Sequence, residues 1–430
     1  MSNGYRGADE LYLWWLGQPQ APVFIGTLRL LHATRGVSLQ YAEAWLRDGF
    51  ALSEDLPLTG IEHRPIERDT AAGAVDDARP DRWGERVVRF VEKPPRLSLL
   101  EYLYFAGDER FGALGVSVSS QTYFPHRTGP LPTLRDVDEI HELVRKVLDN
   151  EPVPESKRRL IAPGATLGGA RPKALIEMDG AESVVKFAEP GDPTDTPLVE
   201  HACMTLAARA GIRVATTHPI RLLDGHAVAV LRFDRDGRGA ATRRLHAQSA
   251  QVALRAEGSP FGYPELAQLL RRRAPLEAGT AKAQMHELFR RMVFNILMDN
   301  TDDHEKNHVL LMDDAQHLLL APAFDVLPAC QGLGYQQMRV GGDGADSTVE
   351  NARSQAALFA LSPDEAMAQA ARVARVCDPW QSHFAQAGVT GSDIEYLSRF
   401  IDRDFLLTQR TELTTPRARQ AGPRKRTPTR

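Results

Sequence analysis

The alternation of apolar and polar positions divides the chain into a strand-rich beginning, a small mixed middle and a helical remainder. Near the N-terminus the apolar runs 11–16 and 24–31 are short and are separated by Gly17, Pro19 and Pro22, which predicts a β-hairpin or meander. Two turn-rich stretches follow, Pro80-Asp81-Arg82-Trp83-Gly84 and Asp108-Glu109-Arg110-Phe111-Gly112-Ala113-Leu114, the second leading into an alternating strand. Over 134–150 the period changes. Val137, Ile140, Val144, Val147 and Leu148 lie on one helical face that ends before Pro152 and Pro154, where a first boundary is expected.

Beyond it, strand runs at 174–178 and 183–187 flank Asp179-Gly180-Ala181, a hairpin signal, and a helix over 198–210 stops at Gly211. Strands at 217–222 and 227–233 complete a small sheet with one helix. The strongest element is a helix over 280–298, in which Met285, Leu288, Phe289, Met292, Val293, Ile296 and Leu297 follow the i, i+3, i+4, i+7 rule and predict a core position. A polar loop, 299–307, and a strand from His308 come directly after it. The pattern predicts an α+β chain with a strand-rich unit up to about residue 150, a small sheet with one helix after it, a mostly helical remainder, and a disordered Pro/Arg/Thr-rich tail at 416–430.

Composition narrows the class. With 43% apolar and 25% charged residues, low-complexity, collagen-like and membrane classes are excluded. The start of the chain carries no signal-peptide pattern, and no run of eighteen uncharged apolar residues occurs, so a cytoplasmic protein without membrane contact is expected. Cys203, Cys330 and Cys377 are isolated and odd in number, as buried small hydrophobes in a reducing compartment would be. The net charge of −4 argues against a dedicated nucleic-acid binder. Six basic residues lie in the tail without an acid, so the −4 of the whole chain becomes −10 over residues 1–415. The tail reads most simply as a solvated end, with contact to nucleic acid as the alternative.

The loop 302–307 concentrates candidate chemistry. Phosphoryl transfer needs a carboxylate that orients and deprotonates a hydroxyl and an Asn or Asp nearby that holds the metal. Asp302 and Asn307 stand five apart on a short loop after a buried helix, and Asp325 follows the apolar run 318–320 closely enough for a hairpin to return it beside Asn307. Singly these residues are ordinary; Asp303, for one, reads as a cap or a solvated turn residue. Upstream, 164–170 is a Gly-rich turn before a strand, able to bring backbone N–H groups close to phosphates. Lys186 sits in an apolar strand, where it either faces solvent or reaches phosphates, and Glu200 is its candidate partner. The stretch His304-Glu305-Lys306-Asn307-His308 also matches H-E-x-x-H, a zinc motif when on a helix, but the helical stripe ends near Met298.

Taken together, these stretches resemble the HipA family of serine/threonine kinase toxins of bacterial type II toxin–antitoxin systems. The resemblance is carried by Gly26-Thr27-Leu28, Pro80 to Gly84 and Phe111 to Leu114, then by Gly168-Gly169-Ala170-Arg171-Pro172-Lys173, Arg232-Phe233-Asp234-Arg235, Arg244-Leu245-His246, Asn300 to Asn307 and Ala323-Phe324-Asp325. It implies a two-lobed protein-kinase-like core, related to phosphatidylinositol kinases, with a strand-rich N-terminal subdomain at 1–150, an N-lobe at 151–236 and a mainly helical C-lobe at 237–415. It makes Asp302 the catalytic carboxylate, because Asp302, His304 and Asn307 keep the D-x-H-x-x-N interval. Asn307 and Asp325 become magnesium ligands and Lys186 the phosphate-binding lysine.

In the same way the resemblance places Leu167, Gly168, Gly169, Ala170, Arg171 and Lys173 over the phosphates of ATP, Leu231, Arg232 and Phe233 against the adenine, and His304 and Lys306 among the nucleotide-binding residues. Family members are regulated by autophosphorylation of a serine at the start of the phosphate loop; Thr166 stands there in this chain. The implied activity is ATP- and magnesium-dependent phosphorylation of a protein serine or threonine, with an aminoacyl-tRNA synthetase as family precedent. The implied partners are a HipB-like helix-turn-helix antitoxin and, through it, DNA; no segment of this chain reads as a helix-turn-helix itself. The alternatives are a catalytically silent corepressor module on the same fold and a small-molecule or lipid kinase.

Overall fold

The computed structural model describes residues 5, 7–126, 129–162, 169–237, 239 and 242–415. Thr166, Leu167, Gly168 and the tail 416–430 lie outside the described residues. The N-terminal sheet is antiparallel and consists of β1 (Glu10–Trp15), β2 (Val23–Leu31), β3 (Gly36–Tyr41), β4 (Glu62–His63) and β5 (Leu114–Ser117), in the order β4-β3-β2-β1-β5. The expected meander is its centre. Gly26 is required where β2 meets β3, since a Cβ there would stand 2.2 Å from the carbonyl oxygen of Gln40. The strand after Leu114 does not alternate as expected: all four residues of β5 are buried, because the helix Leu99–Phe105 packs on it and Leu16 and Tyr123 close over Gly115.

The stretch after Pro80, which reads as a turn, forms a short helix instead, Arg82–Val87. Asp81 caps it, its Oδ1 accepting from the Gly84 N–H at 2.8 Å. Buried Trp83 turns away from the first sheet toward the helix Val137–Leu148 and the second sheet.

That second sheet is antiparallel, in the order β6-β7-β9-β8, with β6 (Lys173–Met178), β7 (Ala181–Lys186), β8 (Thr217–Arg221) and β9 (His226–Leu231). Asp179 (φ 53°) and Gly180 (φ 76°) both adopt left-handed backbone, as the two-residue hairpin turn demands. The helix Thr196–Arg209 packs on β8 and β9. A short ladder, β10 (Arg235–Asp236) with β11 (Arg243–Arg244), leads into a three-stranded sheet of β12 (Ala247–Ser249), β13 (Val309–Met312) and β14 (Leu318–Leu320).

The helix Thr280–Leu297 is the axis of the largest core. Its second half is buried on every side, and its polar residues are bonded inward: Arg291 pairs with Glu287, and Gln284 accepts from the Leu320 N–H at 2.5 Å. Helices Pro363–Cys377 and Asp404–Thr414 pack against it. Cys203 and Cys377 are buried as expected, whereas Cys330 is only half-buried, on a left-handed turn. Among the described residues no helix is long and apolar enough to cross a membrane.

Candidate active site

The order helix, polar loop, strand is realised directly behind the central helix. After Leu297 the chain turns through Asp299 (φ 54°), makes a 3-10 turn at Glu305–Asn307 and enters β13. The β13–β14 hairpin pairs Met312 with Leu318, and the chain returns so that Ala323, Phe324 and Val326, which flank Asp325, line one small cavity with Asn307 and His308.

The two adjacent aspartates of the loop have opposite environments. Asp302 is exposed, with no side-chain hydrogen bond to a described residue. Crowding by surrounding protein strips part of its hydration and Asp325 and Asp303 repel it, so its pKa is raised despite the attraction of His304 and Arg171. Asp303, neither a cap nor solvated, is buried; its Oδ2 accepts from His308 Nε2 at 2.7 Å and from the Tyr263 hydroxyl. Burial disfavours this carboxylate, but His308 and Tyr263 outweigh it and hold the pKa low. Asp303→Ala leaves His308 Nε2 and the Tyr263 hydroxyl proton buried without their acceptor. It is expected to cost about 3 kcal/mol of stability, read as a lower denaturant midpoint at unchanged slope.

The same geometry removes the zinc alternative. The helix that H-E-x-x-H requires has ended, His308 is extended (φ −109°, ψ 111°), and its Nε2 is held by Asp303.

Lys186, at the end of β7, does not face solvent. It is 8% exposed, and its Nζ lies 2.7 Å from Glu200 Oε1 and 2.7 Å from Asp325 Oδ1. Burial works against the ammonium, yet the two carboxylates outweigh it and raise its pKa. Asp325 shows the converse: burial pushes it up, and Lys186 more than compensates, leaving it lowered. Glu200, buried more deeply, remains raised by its desolvation. Asp325 adopts left-handed backbone (φ 57°), which turns its carboxylate toward Lys186.

Of the predicted phosphate loop, the described end reaches this cluster. Gly169 (φ 86°) lies so close that a Cβ on it would stand 3.8 Å from Asp325 Oδ2 and 3.6 Å from Lys173 Nζ. The Lys173 ammonium, itself buried, donates to the Gly169 carbonyl at 2.5 Å and to Asp81 Oδ2 at 2.9 Å. Arg171 pairs with Asp192 at 2.7 Å and stays within electrostatic reach of Asp302 and Asp325. Ala170 is exposed, as is Lys306, and His304 is half-buried.

At the segment predicted to meet adenine, Leu231 closes β9 and is partly exposed. Phe233 packs on Phe324 and Phe111, with ring centres 5.4 and 5.8 Å away, forming an apolar wall next to Asp325. The Arg232 side chain points elsewhere: it binds both carboxylate oxygens of Asp234 at 2.9 and 2.7 Å and the carbonyls of Glu109 and Arg110. Asp234 also accepts from the Gly112 N–H at 2.8 Å. Two motifs far apart in sequence, Phe111-Gly112 and Arg232-Phe233-Asp234, thus form one buried joint. Its Asp234 escapes a sequence reading because nothing local marks a partner 122 residues away.

The chain matches the model of the HipA-like C-terminal domain over residues 165–380 and that of the HipA N-terminal domain over 21–117. The chain belongs to the HipA family. Its fold is that of HipA from Shewanella oneidensis MR-1, solved in complex with HipB and operator DNA, with TM-score 0.63 and 18% identity over 94% of this chain and 97% of that one. A weaker likeness, TM-score 0.42 with 16% identity over 58% of this chain and 95% of the other, is to the Helicobacter pylori proinflammatory kinase CtkA. The curated protein named Putative kinase Y4dM, from Sinorhizobium fredii, is 29% identical over 181 residues, 39% of this chain. The chain spans only about two fifths (41%) of that relative's length. The HipA-like fold thus places Lys186, Glu200 and Asp325 together, with Asp302 at the rim.

Proposed function

We propose that this HipA-family chain is an ATP- and magnesium-dependent protein serine/threonine kinase. The observation that carries the proposal is the Lys186 ammonium held at 2.7 Å from both Glu200 and Asp325, a buried charge cluster placed beside an exposed aspartate. A buried lysine with two carboxylates has no advantage over apolar packing for stability alone, so its presence favours a binding role. Lys186 attracts the α/β-phosphates, the apolar wall of Phe233 and Phe324 accepts the adenine end, and Arg171 faces the transferred group. Asp302 orients the substrate hydroxyl and takes its proton.

The donor set fits magnesium. Asn307 is buried, yet its carboxamide has no hydrogen-bond partner among the described residues, and Asp325 spends Oδ1 on Lys186, leaving Oδ2 toward Gly169. When bound there, the metal would neutralise phosphate charge. Thr166 is the candidate for autophosphorylation, a translation-related protein such as an aminoacyl-tRNA synthetase is the candidate substrate, and a HipB-like antitoxin the candidate partner on DNA. Phosphoproteomics after induced expression tests the reading: new phosphoserine or phosphothreonine in a host protein, absent with Asp302→Ala, is expected. Identical phosphoproteomes for the two would contradict it.

A further inference from the structure

Besides the joint at Phe111 and Gly112, one short segment of the N-terminal region reaches the loops on both sides of the cleft. Between Asp77 and Trp83 the chain runs under both walls of the cleft, and its side chains bond to each. On one side Asp81 Oδ2 holds the Lys173 ammonium at 2.9 Å, Lys173 holds the Gly169 carbonyl at 2.5 Å, and Trp83 Nε1 donates to the Lys173 carbonyl at 2.8 Å. On the other, Asp77 Oδ2 accepts from the Ser249 N–H and Asp77 Oδ1 from the Ser249 hydroxyl, both at 2.7 Å. Ser249 is paired with Val309 across β12 and β13; the next residue, Ala250, donates to the His308 carbonyl at 2.7 Å, and Gln251 donates to Glu305 Oε1 at 3.1 Å. Asp77 therefore stands one residue from the backbone of the catalytic loop, as Asp81 stands one side chain from the phosphate loop.

The segment itself is stiff. Pro80 is buried, Arg79 pairs with Asp76 at 3.2 Å, and the Ala78 carbonyl accepts from fully buried Arg110.

We propose that residues 77–83 are a brace that sets the separation of Gly169–Lys173, the described end of the phosphate loop, and the catalytic loop, with Asp81 and Asp77 as positioning residues for nucleotide binding and for phosphate transfer respectively. The proposal rests on the kinase reading above. In it Lys173 positions Gly169, its ammonium being enclosed by Asp81 and that carbonyl, while Lys186 is the lysine that meets the α/β-phosphates.

Phosphate transfer by the purified full chain, followed against ATP concentration, separates the roles. Asp81→Asn keeps the helix cap, for which Asn serves as well as Asp, and removes the charge facing Lys173. It is expected to raise the KM for ATP roughly tenfold with kcat within about threefold, and Asp81→Glu to restore the KM. Asp77→Asn turns an amide against the Ser249 donors and is expected to lower kcat roughly tenfold with KM within about threefold. Should circular dichroism show Asp77→Asn unfolded, Ser249→Ala removes the hydroxyl bond to Asp77, together with the cap on the Val252 N–H, while keeping the Ser249 N–H bond to Asp77, and carries the same expectation at a smaller factor. An active wild type, an inactive Asp302→Ala and unchanged constants in the brace variants would overturn the brace and leave the kinase. A wild type that transfers no phosphate overturns the kinase reading, and the brace with it.

Discussion

Asp302→Ala is expected to abolish phosphate transfer and leave the protein as stable as before. A positioned general base contributes on the order of 10² to 10⁴ in rate, so transfer is expected to fall by about 10³ or more. Stability is a separate matter, because Asp302 is exposed and bonds to no described residue. Its removal leaves no buried group unpaired and even relieves repulsion with Asp325 and Asp303. Steady-state transfer together with thermal unfolding of the same preparation measures both. The neighbouring Asp303→Ala inverts the pattern, losing stability first. Transfer retained by Asp302→Ala would assign the base elsewhere.

Lys186→Met has the second large effect, on both counts. Removing the ammonium leaves buried Glu200 and half-buried Asp325 with no cation between them, and breaking a buried pair in this way typically costs about 3–5 kcal/mol. Nucleotide binding disappears with the phosphate contact. The variant also gains a characteristic pH dependence. In the wild type Lys186 holds Asp325 below its ordinary range; without it, burial and mutual repulsion raise both carboxyls above their unfolded values. A carboxyl raised on folding stabilises below its unfolded pKa, and that contribution is lost as pH rises through the folded pKa. The variant is thus expected to melt at a higher temperature in mild acid than at neutral pH. In the wild type Asp325, whose pKa is lowered, works in the opposite direction, contributing stability that is lost on acidification. Thermal unfolding of both proteins at the two pH values compares the signs directly, and a variant whose melting temperature falls on acidification would contradict the arrangement.

Much of the site is legible in the residues because it depends on short-range pattern. The amphipathic stripe that ends near Met298 locates the start of the loop, and the apolar runs on either side of the β13–β14 turn return the chain to Asp325. The Asp179-Gly180 pair fixes the hairpin that carries Lys186. What the pattern leaves open is burial. Whether Lys186 faced solvent or phosphate, and whether Asp303 was a cap, depends on what covers them: Glu200 from a different helix, and Tyr263 and His308 from two others parts of the C-terminal half. The alternation expected after Leu114 failed for the same reason, since a strand covered on both faces shows no period in its burial. The joints between the N-terminal region and the rest were the least visible. Asp77, Asp81 and Asp234 each bond across 92 or more residues of sequence, and an aspartate in a turn looks the same with or without such a partner.

In the proposed function the cluster of Lys186, Glu200, Asp325 and Asp302 transfers the γ-phosphate of ATP to protein. The most direct measurement is incorporation of label from γ-labelled ATP by the purified full chain, with and without magnesium, beside Asp302→Ala. Label on a serine or threonine of the chain itself or of an added protein, dependent on magnesium and absent with Asp302→Ala, is the predicted result. Equal incorporation by wild type and variant, or none by the wild type with magnesium and a protein acceptor present, would contradict it and leave a HipA-family fold that binds without catalysing.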